Sequence, residues 1–554
     1  MIAYIGLFFI TVILGIILTG KNPSKAKTVT YLVISFGLMY FLTVFRYGLG
    51  NDYFSYMRIF SEIAETDLGT ALTMGYEPLF VVLTKAITLI STNPEVMYAI
   101  YAVLILVPVA VAIYKHSDKV WISVTVFICL TFFYTQLSFI RQSLAVSVLI
   151  LAYGFMKKRK VVPVLIFAVI AALFHYTALV FIPFYLLSLI KPTKKYLIIY
   201  SSVSVGVLVT CLVMKAVGAN PLNILANIVT SVTGKDYTGY IGSQWFENGF
   251  GVHYLIMPLA VLALVMISYF LGWKEKSESD MLLQLTLMNA SVWSFITYAF
   301  IVERFSMFIF IFAVFTIPSV LRYYEEKAEK AQANAVKPDK TMPGYSKKKS
   351  EESKDNSFLI TTLTVIGLFI YNCWGLSMNF HGVMPYMCLS PAVQDAIDGY
   401  DGNDENLEVI ATNADVYTYL VQLKNTECGY MIVSTSDSYK GFTPAIRRAA
   451  DYAGTALNEG TADTIAKHVC YTEYNNRSGE TFSENLDTEY TSENGISIKT
   501  GDKASVVTDS SGKVYKIKDN KLAFLLFDEN GKIFDATEFE VGSFARKAAK
   551  LEAE

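Results

Sequence analysis

Eight polar side chains stand inside or beside apolar runs of this 554-residue chain: Arg46, Asp52, Glu77, Arg141, Gln142, His175, Glu303 and Arg304. Charge near hydrocarbon is expensive, so such groups are usually paired or line a functional cavity. The planar forks of the arginines suit a phosphate or diphosphate, which they can hold bidentately. A carboxylate beside them can serve as the base that activates a hydroxyl. Plainer readings stand alongside. Arg46 and Asp52 can form an interfacial ion pair, and His175 can be a satisfied turn residue where two apolar runs meet. Tyr47, Tyr53, Phe54 and Tyr56 read as an interfacial belt, although platforms that stack sugars use the same residues. Arg141 has no carboxylate adjacent in sequence, and Glu303 and Arg304 point about 100° apart on a helix, so each needs some other partner. Six cysteines, at 129, 211, 373, 388, 428 and 470, form no C-x-x-C pair and have no histidine at ligand spacing, so no metal site is expected.

The elements that must position these residues are membrane helices. Of the residues 53% are hydrophobic and 17% charged, and mean hydropathy is +0.41, so lipid is the main solvent. Crossing about 30 Å of hydrocarbon takes roughly 17 to 25 apolar residues. Twelve spans are predicted, near 2–19, 29–45, 95–114, 120–136, 139–156, 161–174, 176–190, 196–216, 252–272, 282–300, 304–321 and 358–378. The first lacks a basic flank and a cleavage site, and reads as a retained span rather than a signal peptide.

Charge gives each loop a side. Residues 1–390 carry 30 Lys and Arg against 20 Asp and Glu, a net +10, and the remainder carries 16 against 28, a net −12. Basic clusters at Lys21, Lys25 and Lys27, at 157–160 (KKRK), at Lys191, Lys194 and Lys195, at Lys274 and Lys276, and in 322–354 belong in the cytoplasm. Twelve spans from an outside N-terminus place all of them there. Counting 77–92 (EPLFVVLTKAITLIST) as a thirteenth would put KKRK outside, so this stretch is predicted to be a re-entrant or interfacial helix on the outer side. The polar residues named above, with loop 217–251, then share the outer face.

The expected fold is a polytopic α-helical membrane protein of about twelve transmembrane helices with a C-terminal soluble α/β or α+β domain. Its divisions are a membrane core over 1–321, a basic cytoplasmic linker over 322–357 with disorder around PGYSKKKSEESKDN, a last span and exit over 358–390, and an acidic extracytoplasmic domain over 391–554. In that domain YMIVST reads as a strand, TPAIRRAADYAGTAL as a helix and LAFLLFDENGKIF as a hairpin turning at DENG. Cys428 and Cys470 read as reduced core cysteines or as one disulfide if exported.

Several segments together carry a resemblance. FRYGLGNDYFSY (45–56), YEPLF (76–80), FIRQSLAVSVLILA (139–152) followed by KKRK, ALFHYTALVFIP (172–183), ERF (303–305) and MPY (384–386) resemble the EpsG family of Wzy-type polysaccharide polymerases over about residues 1–390. The resemblance implies joining of undecaprenyl-diphosphate-linked oligosaccharide repeats on the outer face of the bacterial cytoplasmic membrane, with no metal or nucleotide sugar. Carried to matching positions, it points at Arg46, Gly48, Gly50, Asp52, Tyr53, Glu77, Pro78, Arg141, Gln142, His175 and Arg304. On this reading Arg141 and Arg304 hold the lipid diphosphate, with Arg46, Tyr53 and Gln142 also contacting substrate. Asp52 is the first candidate for the base, Glu77 the second and His175 the third. The tail looks loosely like the interleukin-like EMT-inducer stem domains of some glycosyltransferases, which would imply a carbohydrate-positioning module.

A glycosyl transfer enzyme of the polymerase type is the leading function. A ligase or single-sugar transferase using the same donor would share the arginines. A flippase or transporter would need polar residues through the bilayer depth and on both faces, with broken helices at the midplane, and here the polar residues crowd one face. No cofactor is expected. The expected partners are the lipid-linked oligosaccharide, the growing polysaccharide, membrane lipid and other polysaccharide export proteins, with no nucleic acid.

Overall fold

The computed structural model describes residues 1–20, 23–46, 49–50, 52–216, 255–296, 303–335, 346–378, 381, 383, 429–434, 455, 470–475, 479–483, 489–492, 494–501, 504–518, 521–540, 548–551 and 553. The chain divides into two compact units, Met1–Val44 with Phe60–Met378, and Phe45–Ile59 with Asn379–Glu554.

In the first unit the described part of every predicted span is mostly helical, as suits segments where lipid offers backbone groups no hydrogen bonds. Among the described residues, five helices are long and apolar enough to cross a membrane singly, namely Ile2–Thr19, Lys25–Val44, Pro94–His116, Lys194–Met214 and Ser357–Met378. Two bent pairs raise this to seven if each counts as one span: Val120–Cys129 with Phe132–Ser138 at 48°, and Glu303–Phe310 with Ala313–Lys330 at 46°. The breaks have local causes. Thr131 adopts φ 67°, a left-handed backbone that ends a helix, and Phe139 at φ −110° and ψ 68° interrupts the next turn. The segment 120–157 therefore runs as Val120–Cys129, Phe132–Ser138, Ile140–Leu151 and Tyr153–Lys157. Its first three pieces are buried on nearly all sides, so it forms the centre of the bundle.

Pro78–Thr88 has 11 residues. That length gives about 16 Å, well short of a crossing. Lys85 within it is not stranded in lipid: its ammonium donates to the carbonyls of Ile63, Ala64 and Thr66 at 3.0, 3.1 and 2.5 Å. These are the orphan acceptors at the end of helix Tyr53–Glu65.

Charges gather where segment 140–157 ends. Lys157 pairs with Glu278 (3.5 Å), Arg159 with Asp280 (4.0 Å), Lys119 with Glu325 (2.5 Å) and Lys276 with Asp118 and Glu326 (3.7 and 3.6 Å). Helix Ala313–Ala335 carries Arg322, which pairs with Glu325 and Glu326 along its own face. Helix Ser346–Met378 begins inside the stretch expected to be disordered. Its SKKKSEESKDN opening holds no Pro or Gly and several good helix formers, so it propagates into the apolar segment beyond.

The described tail is antiparallel sheet. The strands are β1 (Gly429–Ser434), β2 (Cys470–Asn475), β3 (Gly479–Ser483), β4 (Glu489–Thr491), β5 (Ser497–Lys499), β6 (Ala504–Thr508), β7 (Val514–Lys518), β8 (Lys521–Phe527), β9 (Ile533–Glu540) and β10 (Ala548–Lys550). One sheet has the order β10-β9-β8-β1-β2-β3 and the other β4-β5-β6-β7. The YMIVS part of YMIVST falls on β1, and DENG turns β8 into β9. The helix-like 443–457 lies outside the described residues except Thr455, as do Tyr47, Gly48, the loop 217–251, MPY and Cys428.

Met431, Val433, Ile498, Val507, Ile517 and Leu525 form the core of the tail. Asp509 joins its two hairpin turns. The carboxylate accepts the N–H groups of Ser511 (2.8 Å), Lys513 (3.0 Å) and Ile533 (3.3 Å) and the Ser511 hydroxyl (2.7 Å). Burial pushes its pKa up, and these donors more than offset that, leaving it below the ordinary carboxylate range. A depressed folded-state pKa contributes stability above the unfolded value and loses it as pH falls through the folded one. Asp509→Ala in the full-length protein should therefore speed proteolysis of the tail at neutral pH. Wild type should approach the variant's rate as pH drops through the carboxylate range, as read by limited digestion with an acid-tolerant protease.

Candidate active site

Glu77 is the N-cap of helix Pro78–Thr88, with Pro78 in the favoured first position, yet its side chain makes no capping bond. The carboxylate reaches sideways to two other segments. Oε2 accepts from Arg141 Nη1 at 2.7 Å, and Oε1 lies 2.9 Å from His175 Nδ1 and 3.4 Å from the Tyr176 N–H. A backbone bond from Leu79 N–H to the Leu173 carbonyl (3.0 Å) fixes the two segments against each other.

Helix ends bring these groups together. Arg141 is the second residue of Ile140–Leu151, freed from the preceding helix by the break at Phe139. His175 precedes the short 3₁₀ turn Tyr176–Val180, in extended backbone at φ −159° after helix Val161–Ala172 ends. Tyr76 and Phe80 stand one position before and three after Glu77, and their ring centres lie 5.5 and 5.7 Å from the Arg141 guanidinium carbon. This cation–π wall keeps part of the charge out of water.

Glu77 is 4% exposed. Burial alone would raise its pKa. The hydrogen bond from His175 and the Arg141 charge outweigh it and hold the carboxyl down at about 2. The group is therefore ionised. An ionised carboxylate only accepts, so the imidazole nitrogen that faces it, Nδ1, carries a proton.

Next to this cluster, Gln142 Nε2 donates to the Arg304 backbone carbonyl. Arg304 opens helix Glu303–Phe310, and its guanidinium carbon lies 4.6 Å from the centre of the Phe139 ring. Among the described residues, Arg304 has no carboxylate within ion-pair distance. Its neighbour Glu303 is buried. The sequence-predicted residues Glu77, Arg141, Gln142, His175 and Arg304 thus gather around the Phe139 break.

Arg46, Asp52 and Tyr53 belong to the other unit. The Arg46 guanidinium carbon lies 5.6 Å from the Tyr53 ring centre. Gly50, at φ 105°, makes the turn that only glycine adopts easily, and the Tyr53 N–H bonds its carbonyl at 3.1 Å. The Asp52 carbonyl accepts from the Tyr56 N–H at 2.9 Å, starting helix Tyr53–Glu65. Sequence reasoning missed the roles of Tyr76, Phe80 and Phe139 as aromatic walls for the arginines. The one available signal was an aromatic flanking each charged group.

The EpsG family matches residues 29–336, more than half of the chain. No curated protein matches the sequence, and no solved structure matches the fold. The likeness of the tail to interleukin-like stem domains finds no support in these comparisons. Several long apolar helices and a family of polysaccharide-biosynthesis membrane proteins agree, and the chain is a multi-pass membrane protein that belongs to the EpsG family.

Proposed function

We propose that this EpsG-family protein is a polysaccharide polymerase. It joins undecaprenyl-diphosphate-linked oligosaccharide repeats at the outer face of the bacterial cytoplasmic membrane, with twelve crossings and the tail on that same side. The observation that carries the reading is the Glu77 carboxylate shared between Arg141 and His175.

The geometry reorders the candidates for the base. A carboxyl held near 2 is a weak base, so Glu77 is better suited to orient His175 than to take a proton itself. His175 Nε2 accepts the proton of the acceptor sugar hydroxyl. As that oxygen bonds to the anomeric carbon of the donor, the bond from this carbon to the diphosphate oxygen breaks and undecaprenyl diphosphate leaves. Glu77 stabilises the imidazolium formed, the division of labour seen wherever a carboxylate backs a histidine base. Arg304 holds the departing diphosphate, and Arg141 beside it adds a second positive charge. Asp52 is the alternative base, with Arg46 and Tyr53 contacting sugar or phosphate. The polymerase is favoured over a carrier because the candidate residues Glu77, Arg141, Gln142, His175 and Arg304 gather at one end of segment 140–157 and none of them at the other, about 25 Å away for 17 helical residues.

Purified protein supplied with a lipid-diphosphate oligosaccharide should give a ladder of longer products on a gel. A single addition would indicate a ligase, and no product would contradict the reading. His175→Ala and Arg304→Ala should each lower the rate at least about 100-fold. Arg304→Lys should recover only part of it, since lysine cannot grip a diphosphate with two parallel donors.

Glu77→Gln should lose activity comparably and also loosen the bundle, by about 1–3 kcal/mol for the partner left unpaired. In a double-mutant cycle with Arg141→Met, read by unfolding in detergent, the two changes should cost clearly less together than the sum of each alone. Strict additivity would mean that the pair is not coupled.

A further inference from the structure

A second polar site lies at the opposite end of segment 140–157. A cavity of about 290 Å³ opens between helix Pro94–His116 and the end of helix Tyr153–Lys157. Lys115, His116 and Lys158 line it together with the apolar Val111, Leu151 and Phe155. Lys157 is the further cation acting on His116. No carboxylate among the described residues lines the cavity. Among the described residues, neither Lys115 nor Lys158 has an acidic partner.

The KKRK turn explains why. Its odd-numbered cations are neutralised, Lys157 by Glu278 at 3.5 Å and Arg159 by Asp280 at 4.0 Å, while Lys158 between them meets the cavity. The turn holds that pattern with a left-handed residue. Arg159 has φ 53°, its N–H bonds the Met156 carbonyl (2.9 Å), and the Lys160 N–H bonds the Phe155 carbonyl (3.0 Å). This is a helix cap that glycine normally fills, because a side chain in left-handed backbone is strained. Gly154 makes room in the lining, because a Cβ there would stand 3.0 and 3.1 Å from the His116 ring.

We propose that this cavity binds the phosphate group of an anionic membrane phospholipid, with the lysines on the phosphate and the apolar residues along the first carbons of the acyl chains. Unpaired cations facing hydrocarbon-like residues fit an amphiphile with a negative head, and basic pockets between membrane helices bind such headgroups. The site is separate from the Glu77 cluster and does not depend on the polymerase reading.

The test is native mass spectrometry of delipidated full-length protein titrated with phosphatidylglycerol, with phosphatidylcholine of the same chains, and with inorganic phosphate. Phosphatidylglycerol should be retained more tightly than phosphatidylcholine, by about fivefold for each lysine engaged. Lys115→Ala with Lys158→Ala should abolish that preference, and Lys160→Ala should keep it. Gly154→Ala, which crowds His116 with both lysines intact, should weaken it. Equal retention of the two lipids, or a preference that survives the double substitution, would overturn the proposal. Displacement of phosphatidylglycerol by inorganic phosphate would make this a free-anion site and overturn the lipid assignment.

Discussion

The carboxylate of Glu77 is asked to satisfy three donors from two other chain segments, and the arrangement of the bundle around it follows from that demand. Arg141 arrives from the broken central helix, and His175 and Tyr176 arrive from the turn after Val161–Ala172. A buried carboxylate without such donors would be driven toward its neutral form. With them it stays charged, and it fixes both a guanidinium and the proton of an imidazole. The aromatic wall of Tyr76 and Phe80 then limits access of water to the Arg141 charge.

Placement at helix ends is common to the whole site. Glu77 caps a helix, Arg141 and Arg304 lie in first turns, and His175 bridges a helix and a 3₁₀ turn. An uninterrupted membrane helix spends every backbone group on itself and offers only its side chains. A break concentrates polar backbone and charged side chains at one depth, and is tolerated only where protein encloses it. Thr131 and Phe139 make such breaks in the central segment, and Gln142 uses one of them to hold the Arg304 carbonyl.

Much of this was legible in the sequence. Apolar runs located the helices, although Pro78–Thr88, Ile140–Leu151, Val161–Ala172, Tyr176–Ser188 and Ile256–Phe270 are each shorter than a full crossing because breaks that the apolar runs do not mark divide them. Glu77, Arg141, His175 and Arg304, which the structure brings together, also stood out in the sequence, since ionisable groups beside apolar runs are rare. Their pairing did not. Glu77 and His175 are 98 positions apart, and no local pattern tells which donor a carboxylate will meet. The proposed order of the candidate bases, with His175 first, could not be read from sequence for the same reason: it depends on how strongly Glu77 is held in its charged form. Charge within the SKKKSEESKDN stretch read as disorder, whereas continuity with an apolar helix extends the helix through it.

The account rests on Glu77 fixing the proton of His175 at Nδ1. Nitrogen NMR of protein with ¹⁵N-labelled histidine reports tautomers directly, and a chain with five histidines gives a spectrum simple enough to assign by comparison with His175→Gln. At neutral pH the His175 signals should show a protonated Nδ1 and a bare Nε2, and Glu77→Gln should shift that balance. A proton resident on Nε2, or a tautomer that does not respond to Glu77→Gln, would contradict it.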